Sequence, residues 1–110
     1  MSDSIDKDII VMLKEVMEED FQELLDTFLN DSRERIPLLQ EQLASGDSEG
    51  LRQSAHSLKG SSSNLGAIKL SELCFQIEQK AKQQQLEDLA GILQQVESEF
   101  ERVALALQTI

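Results

Sequence analysis

Apolar residues recur along this chain at intervals of three and four, the spacing that lines them up on one face of an α-helix. Ile5, Ile9, Met12, Leu13 and Val16 do so with charged residues between them, which predicts a short amphipathic helix from Asp3 to Met17. The acidic run Glu18-Glu19-Asp20 suits the positive end of a helix dipole. Phe21, Leu24, Leu25, Phe28, Leu29, Ser32, Ile36, Leu39 and Leu43 then continue the pattern as a long second helix. Pro37 falls inside it, and its missing N–H and ring clash predict a bend or a split near Arg35.

Ser45-Gly46-Asp47 reads as a stop and a restart, with Gly46 suited to a left-handed position after the helix and Asp47 to capping the next one. A third helix is expected from Glu49 to Leu65, with the inward stripe Leu51, Ala55, Leu58, Ser62 and Leu65, ended by Gly66-Ala67. A fourth runs from Ile68 to Lys82 with Leu70, Leu73, Cys74, Ile77 and Ala81 inward, and Gln83-Gln84-Gln85 forms the turn after it. The cleanest register is the last: Leu86, Leu89, Leu93, Val96, Phe100, Val103, Leu107 and Ile110 form a seam for bundle packing. Short turns favour antiparallel neighbours. The expected fold is therefore all-α, an antiparallel up-down four-helix bundle with an additional short N-terminal helix capping one end.

Length and composition sharpen this picture. The 110 residues suit a single domain over 1–110, and the absence of Trp and Tyr, with one Pro, favours helix over strand. A formal net charge of -11 repels nucleic acid and anionic lipid, so neither is an expected partner. The single Cys74 cannot form an intrachain disulfide and reads as a core residue. With no leader pattern at the N-terminus and no apolar run of membrane-spanning length, the expected location is the cytoplasm. The start at Met1 with a full set of helices suggests a free-standing protein, with a domain excised from a larger kinase as the alternative, and a monomer is expected.

The third helix carries one unusual face. Measured from the centre of its apolar stripe, His56 lies at roughly 140°, Lys59 at roughly 80°, Ser63 at roughly 120° and Gly60 at roughly 180°. His56, Lys59, Gly60 and Ser63, spaced i, i+3, i+4 and i+7, thus form one outer surface. Glycine inside a helix costs about 1 kcal/mol relative to alanine. Gly60 points away from the core, so close helix packing explains it poorly, whereas an absent side chain one turn beyond His56 lets another protein approach the ring. A neutral imidazole is a nucleophile near pH 7, and a nearby ammonium can steady the equatorial oxygens of a transferring phosphoryl group. A solvent-facing histidine alone is a weak signal. Lys59 and Gly60 beside it are what raise it.

The stretch Ala55-His56-Ser57-Leu58-Lys59-Gly60-Ser61-Ser62-Ser63-Asn64-Leu65-Gly66-Ala67 resembles the signature of histidine-containing phosphotransfer (HPt) domains, the carriers of multistep two-component phosphorelays. The resemblance extends to Gly46-Asp47 before it and to Leu70, Leu73 and Cys74 after it. It implies a four-helix bundle with an exposed phosphorylated histidine midway along one helix. By resemblance His56 is the phospho-accepting residue, Lys59 the lysine near the phosphoryl oxygens, and Gly60 the small residue that leaves room for docking. Several members use a polar side chain of the next helix to hold the imidazole. The matching position here is Glu78, and whether it orients the ring at Nδ1 or faces solvent stays open. The implied partners are receiver domains of hybrid sensor kinases and response regulators, which carry the phosphoryl group on an aspartate with Mg²⁺. The metal belongs to the partner, and no cofactor is expected on this chain. No Gly-rich nucleotide loop precedes a helix, so autophosphorylation from ATP is not expected and the chain is read as a carrier rather than an enzyme. Two other classes compete: a helical adaptor or dimerisation module built on the Leu86–Ile110 seam, and a hydrolase or transferase, for which an exposed convex surface offers no pocket.

Overall fold

The structure is a computed structural model and describes residues 4–110, so Asp3, expected to open the first helix, lies outside the described residues. Five α-helices follow one another: α1 (Lys7–Met17), α2 (Phe21–Ser45), α3 (Ser48–Asn64), α4 (Ile68–Lys82) and α5 (Leu89–Gln108). A single 3-10 turn, Glu18–Asp20, joins α1 to α2. Helices α2, α3, α4 and α5 close a circuit in which each packs on the next and α5 returns to α2, giving a four-helix bundle. Its core is continuous, from Leu39 of α2 through Leu58 of α3 and Leu70 of α4 to Val96 and Val103 of α5. The seam residues Leu89, Leu93, Val96, Phe100, Val103 and Leu107 are all buried in that core. The most regular apolar stripe of the chain is thus packed inside its own core. Among the described residues no helix is long and apolar enough to cross a membrane.

Local chemistry accounts for the boundaries around α3. Gly46 closes α2 at φ 71°, in the left-handed region, with its N–H reaching back to the carbonyls of Gln42 and Leu43. Asp47 then caps α3, its carboxylate accepting from the Gly50 N–H at 2.9 Å. Replacing Asp47 with alanine is expected to cost about 1 kcal/mol, read as a lower urea midpoint at unchanged slope. At the other end Gly66 takes φ 78°, and a Cβ there would lie 3.2 Å from the Asp6 carbonyl oxygen, so the position needs glycine for conformation and for space. The Asp6 N–H donates to the Gly66 carbonyl at 2.8 Å, which ties the start of α1 to the α3–α4 turn at one end of the bundle.

Several expectations are corrected. Helix α2 runs unbroken through Pro37, so the split near Arg35 does not occur. Pro37 is exposed while Ile36 and Leu39 beside it are buried, so the ring sits on the water side and core packing holds the helix together across the missing hydrogen bond. Helix α1 starts at Lys7, with Asp6 as its cap, and its inward stripe is Ile10, Leu13 and Met17, whereas Met12 and Val16 face water. Residues 9–13 are all apolar, so periodicity could not choose the register there. The last helix is shorter than its seam: Leu86 lies in the turn and Ile110 is exposed beyond the end. Glu99, in the middle of α5, is fully buried, its Oε1 accepting from Arg102 Nε at 2.9 Å.

Candidate functional site

His56 stands at the midpoint of the 17-residue α3. The stripe Leu51, Ala55, Leu58 and Ser62 is buried against the bundle, which turns the opposite face of the helix outward. The imidazole side chain is 62% exposed and that of Lys59 is 27% exposed, in the order the helical wheel sets. Ser63 is exposed on the same surface. A Cβ built on Gly60 would meet nothing within 4 Å, and its φ is not positive. Neither packing nor backbone conformation requires glycine at this position, so its helix-weakening effect has no structural compensation.

Helix α4 supplies the other side of the site. The antiparallel course of α3 and α4 brings Ser71, Phe75 and Glu78, spaced i, i+4 and i+7, alongside Lys59 and His56. Ser71 Oγ donates to the Lys59 carbonyl at 3.0 Å. The Lys59 ammonium lies 5.2 Å from the centroid of the Phe75 ring, a cation–π distance, and 2.8 Å from Glu78 Oε1. The second carboxylate oxygen, Oε2, is 2.9 Å from His56 Nδ1. The Glu78 side chain is only 12% exposed and lies within hydrogen-bond distance of the ring.

Burial works to raise the Glu78 carboxyl, but the hydrogen bonds from Lys59 and His56 and their charges outweigh it and hold the group below the usual carboxylate range. An ionised carboxylate accepts and cannot donate. Nδ1 is therefore the donor, which in the neutral ring places the lone pair on Nε2. Arg52, one turn before His56, is held by Glu49 through Nε at 3.0 Å and Nη2 at 2.5 Å. Among the described residues no group of three or more His, Cys, Asp or Glu side chains could hold a metal ion, and positive charge beside the ring comes from Lys59. Cys74 is buried in the core, where burial pushes its thiol up to about 12.

Sequence reasoning singled out His56, Lys59, Gly60, Ser63 and Glu78, and the structure brings His56 and Lys59 each into contact with Glu78. It missed Phe75 and Ser71. The signal was available, because both share the face of α4 that carries Glu78.

Comparisons with known proteins point to one family. The family model described as the Hpt domain matches residues 23–106. The chain is also similar to the crystal structure of histidine-containing phosphotransfer protein B from Pseudomonas aeruginosa, at 38% identity and a TM-score of 0.95, covering 99% of this chain and 95% of that one. No curated protein sequence matches the chain. The family match takes in part or all of every bundle helix and every residue of the His56 cluster, and with a solved relative of that similarity it makes this chain a member of the Hpt domain family, the histidine phosphotransfer carriers of phosphorelays.

Proposed function

We propose that the chain is a phosphorelay intermediate whose His56 Nε2 takes a phosphoryl group from the aspartate of a receiver domain, typically in a hybrid sensor kinase, and passes it to the aspartate of a response regulator. The observation that carries this reading is the exposed ring with Nδ1 engaged by Glu78, which leaves Nε2 as the free nucleophile facing open surface. No side chain projects at Gly60, one turn from His56, and on this reading that side is left open for the partner's approach. Ser63 lies on the same surface and keeps it low and polar. Lys59 is bound to the same Glu78 carboxylate that meets the ring, and on this reading it shares its ammonium between Glu78 and the phosphoryl oxygens, where charge gathers during transfer.

On this reading residues 1–110 act as one domain and as a monomer in the cytoplasm. The phosphoryl group comes from a partner rather than from ATP, and Mg²⁺ is bound by the receiver. The test is to mix the chain with a panel of receiver domains carrying labelled aspartyl phosphate. Label should move to this chain in an acid-labile form, and failure with every receiver contradicts the proposal.

Lys59→Ala should slow transfer at least about tenfold while the helical signal is retained, because one charge beside the phosphoryl oxygens is lost and the core is untouched. Single-turnover transfer kinetics with circular dichroism on the same sample check this. An unchanged rate returns Lys59 to a structural partner of Glu78.

A further inference from the structure

A carboxylate and an amide differ at this position in a way that bears on the chemistry. Glu78 Oε2 lies 2.9 Å from Nδ1, and its side chain is largely closed off from water. A bare Nδ1 would set two lone pairs against each other across that gap, with little solvent to separate them. Resting on the phosphorelay reading, we infer that Glu78 keeps a proton on Nδ1 throughout the cycle, so that the phosphorylated ring is a phosphoimidazolium and the phosphoryl group enters and leaves without any proton transfer.

The steps balance on that basis. In loading, the Nε2 lone pair forms the N–P bond, the P–O bond of the partner's aspartyl phosphate breaks, and its electron pair stays on the partner's carboxylate. Nδ1 keeps its hydrogen and the ring becomes a cation. In unloading, a carboxylate oxygen of the acceptor forms the new P–O bond while the N–P electron pair returns to Nε2, leaving the original neutral ring. The leaving group is then neutral imidazole. Without the Nδ1 proton it would be an imidazolate anion, a far poorer leaving group.

Charge supports the same arrangement. At rest the Lys59 ammonium balances the Glu78 carboxylate. A phosphoryl group brings close to two negative charges at neutral pH, and the ring proton offsets one of them at the atom where Glu78 also holds it. The charged groups bearing on the ring are Glu78 from α4 and, on α3, Lys59 and Arg52, with Arg52 already bound to Glu49. Among the described residues α2 contributes no ion pair to His56 or Glu78. Glu78 is thus a positioning residue that also fixes a proton. A glutamine could present either its oxygen or, after amide rotation, its N–H, and would tolerate Nδ1 with or without hydrogen.

The experiment phosphorylates the full chain and Glu78→Gln with the small donor phosphoramidate and follows the phosphohistidine ³¹P resonance against pH. The native resonance should titrate at a midpoint at least about one pH unit above that of the variant, a tenfold difference in proton affinity. Unloading onto a receiver should slow in the variant relative to the native chain as pH rises, by about tenfold per unit between the two midpoints. Coincident midpoints overturn the inference while leaving the relay reading intact. If the variant takes up no phosphoryl group, the native phosphoprotein is compared with itself unfolded in urea: a higher folded midpoint supports proton holding, and an equal or lower one overturns it. If phosphoramidate does not load the native chain, a phosphorylated receiver is used as the donor, and failure with every receiver brings down both the relay reading and this inference.

Discussion

Replacing His56 with glutamine is expected to abolish acceptance of label from a phosphorylated receiver, with the bundle intact. Glutamine has no ring nitrogen, so the nucleophile itself is gone and no residual rate through this position is expected. The fold should not suffer, because the imidazole side chain is 62% exposed and its polar contact is with Glu78. The substituted amide can still donate to that carboxylate. Loss of label with an unchanged unfolding midpoint assigns the function to the ring. Label retained by the variant moves the site elsewhere.

A second large effect is expected at Gly60, where function and stability should move in opposite directions. The position is helical, its φ is ordinary, and a Cβ meets open space. Gly60→Leu should therefore raise stability by about 0.5–1 kcal/mol through helix propensity alone. The same side chain would stand one turn from His56 on the surface that a receiver must cover, and a displacement of about 1 Å at the reacting atoms can cost on the order of 100-fold in rate. Transfer slowed by that order in a protein that melts no lower than the native one supports the docking role. A stabilised variant with a native rate contradicts it.

Much of this site is legible in the amino-acid sequence because α3 obeys simple helical geometry. Leu51, Ala55, Leu58 and Ser62 define the inward direction, and the angles of His56, Lys59, Gly60 and Ser63 from it follow by counting. The caps at Gly46 and Asp47 are legible for a different reason: their chemistry is local, set by left-handed backbone at one residue and a side-chain acceptor at the next. The bounds of α4 are Ile68–Lys82, as expected.

What could not be read depends on neighbours. The face of α1 is ambiguous in sequence because its apolar residues run consecutively, and only contact with α2 and the α3–α4 turn selects Ile10 and Leu13 over Met12. Pro37 looks disruptive because propensity says nothing about a helix gripped on its inner side by Ile36 and Leu39. Glu99 escapes notice because a carboxylate in an apolar seam has no periodic signature, although Arg102 three residues on offers it a partner. At the site itself, Glu78 could be placed on a helix from sequence but not rotated. Its two oxygens divide between His56 and Lys59 only because α3 and α4 pack side by side, and Phe75 and Ser71 join the cluster for the same reason.

On the proposed reading, phosphoryl transfer through this chain depends on one atom, Nε2 of His56. The most direct test is a ³¹P–¹H correlation spectrum of the chain after loading by a phosphorylated receiver. Nε2 is bonded to both ring carbons that carry hydrogen, whereas Nδ1 is bonded to one of them, so phosphorus on Nε2 should couple to both ring protons of the single histidine. Coupling to one ring proton, or to no histidine proton at all, would contradict the assignment.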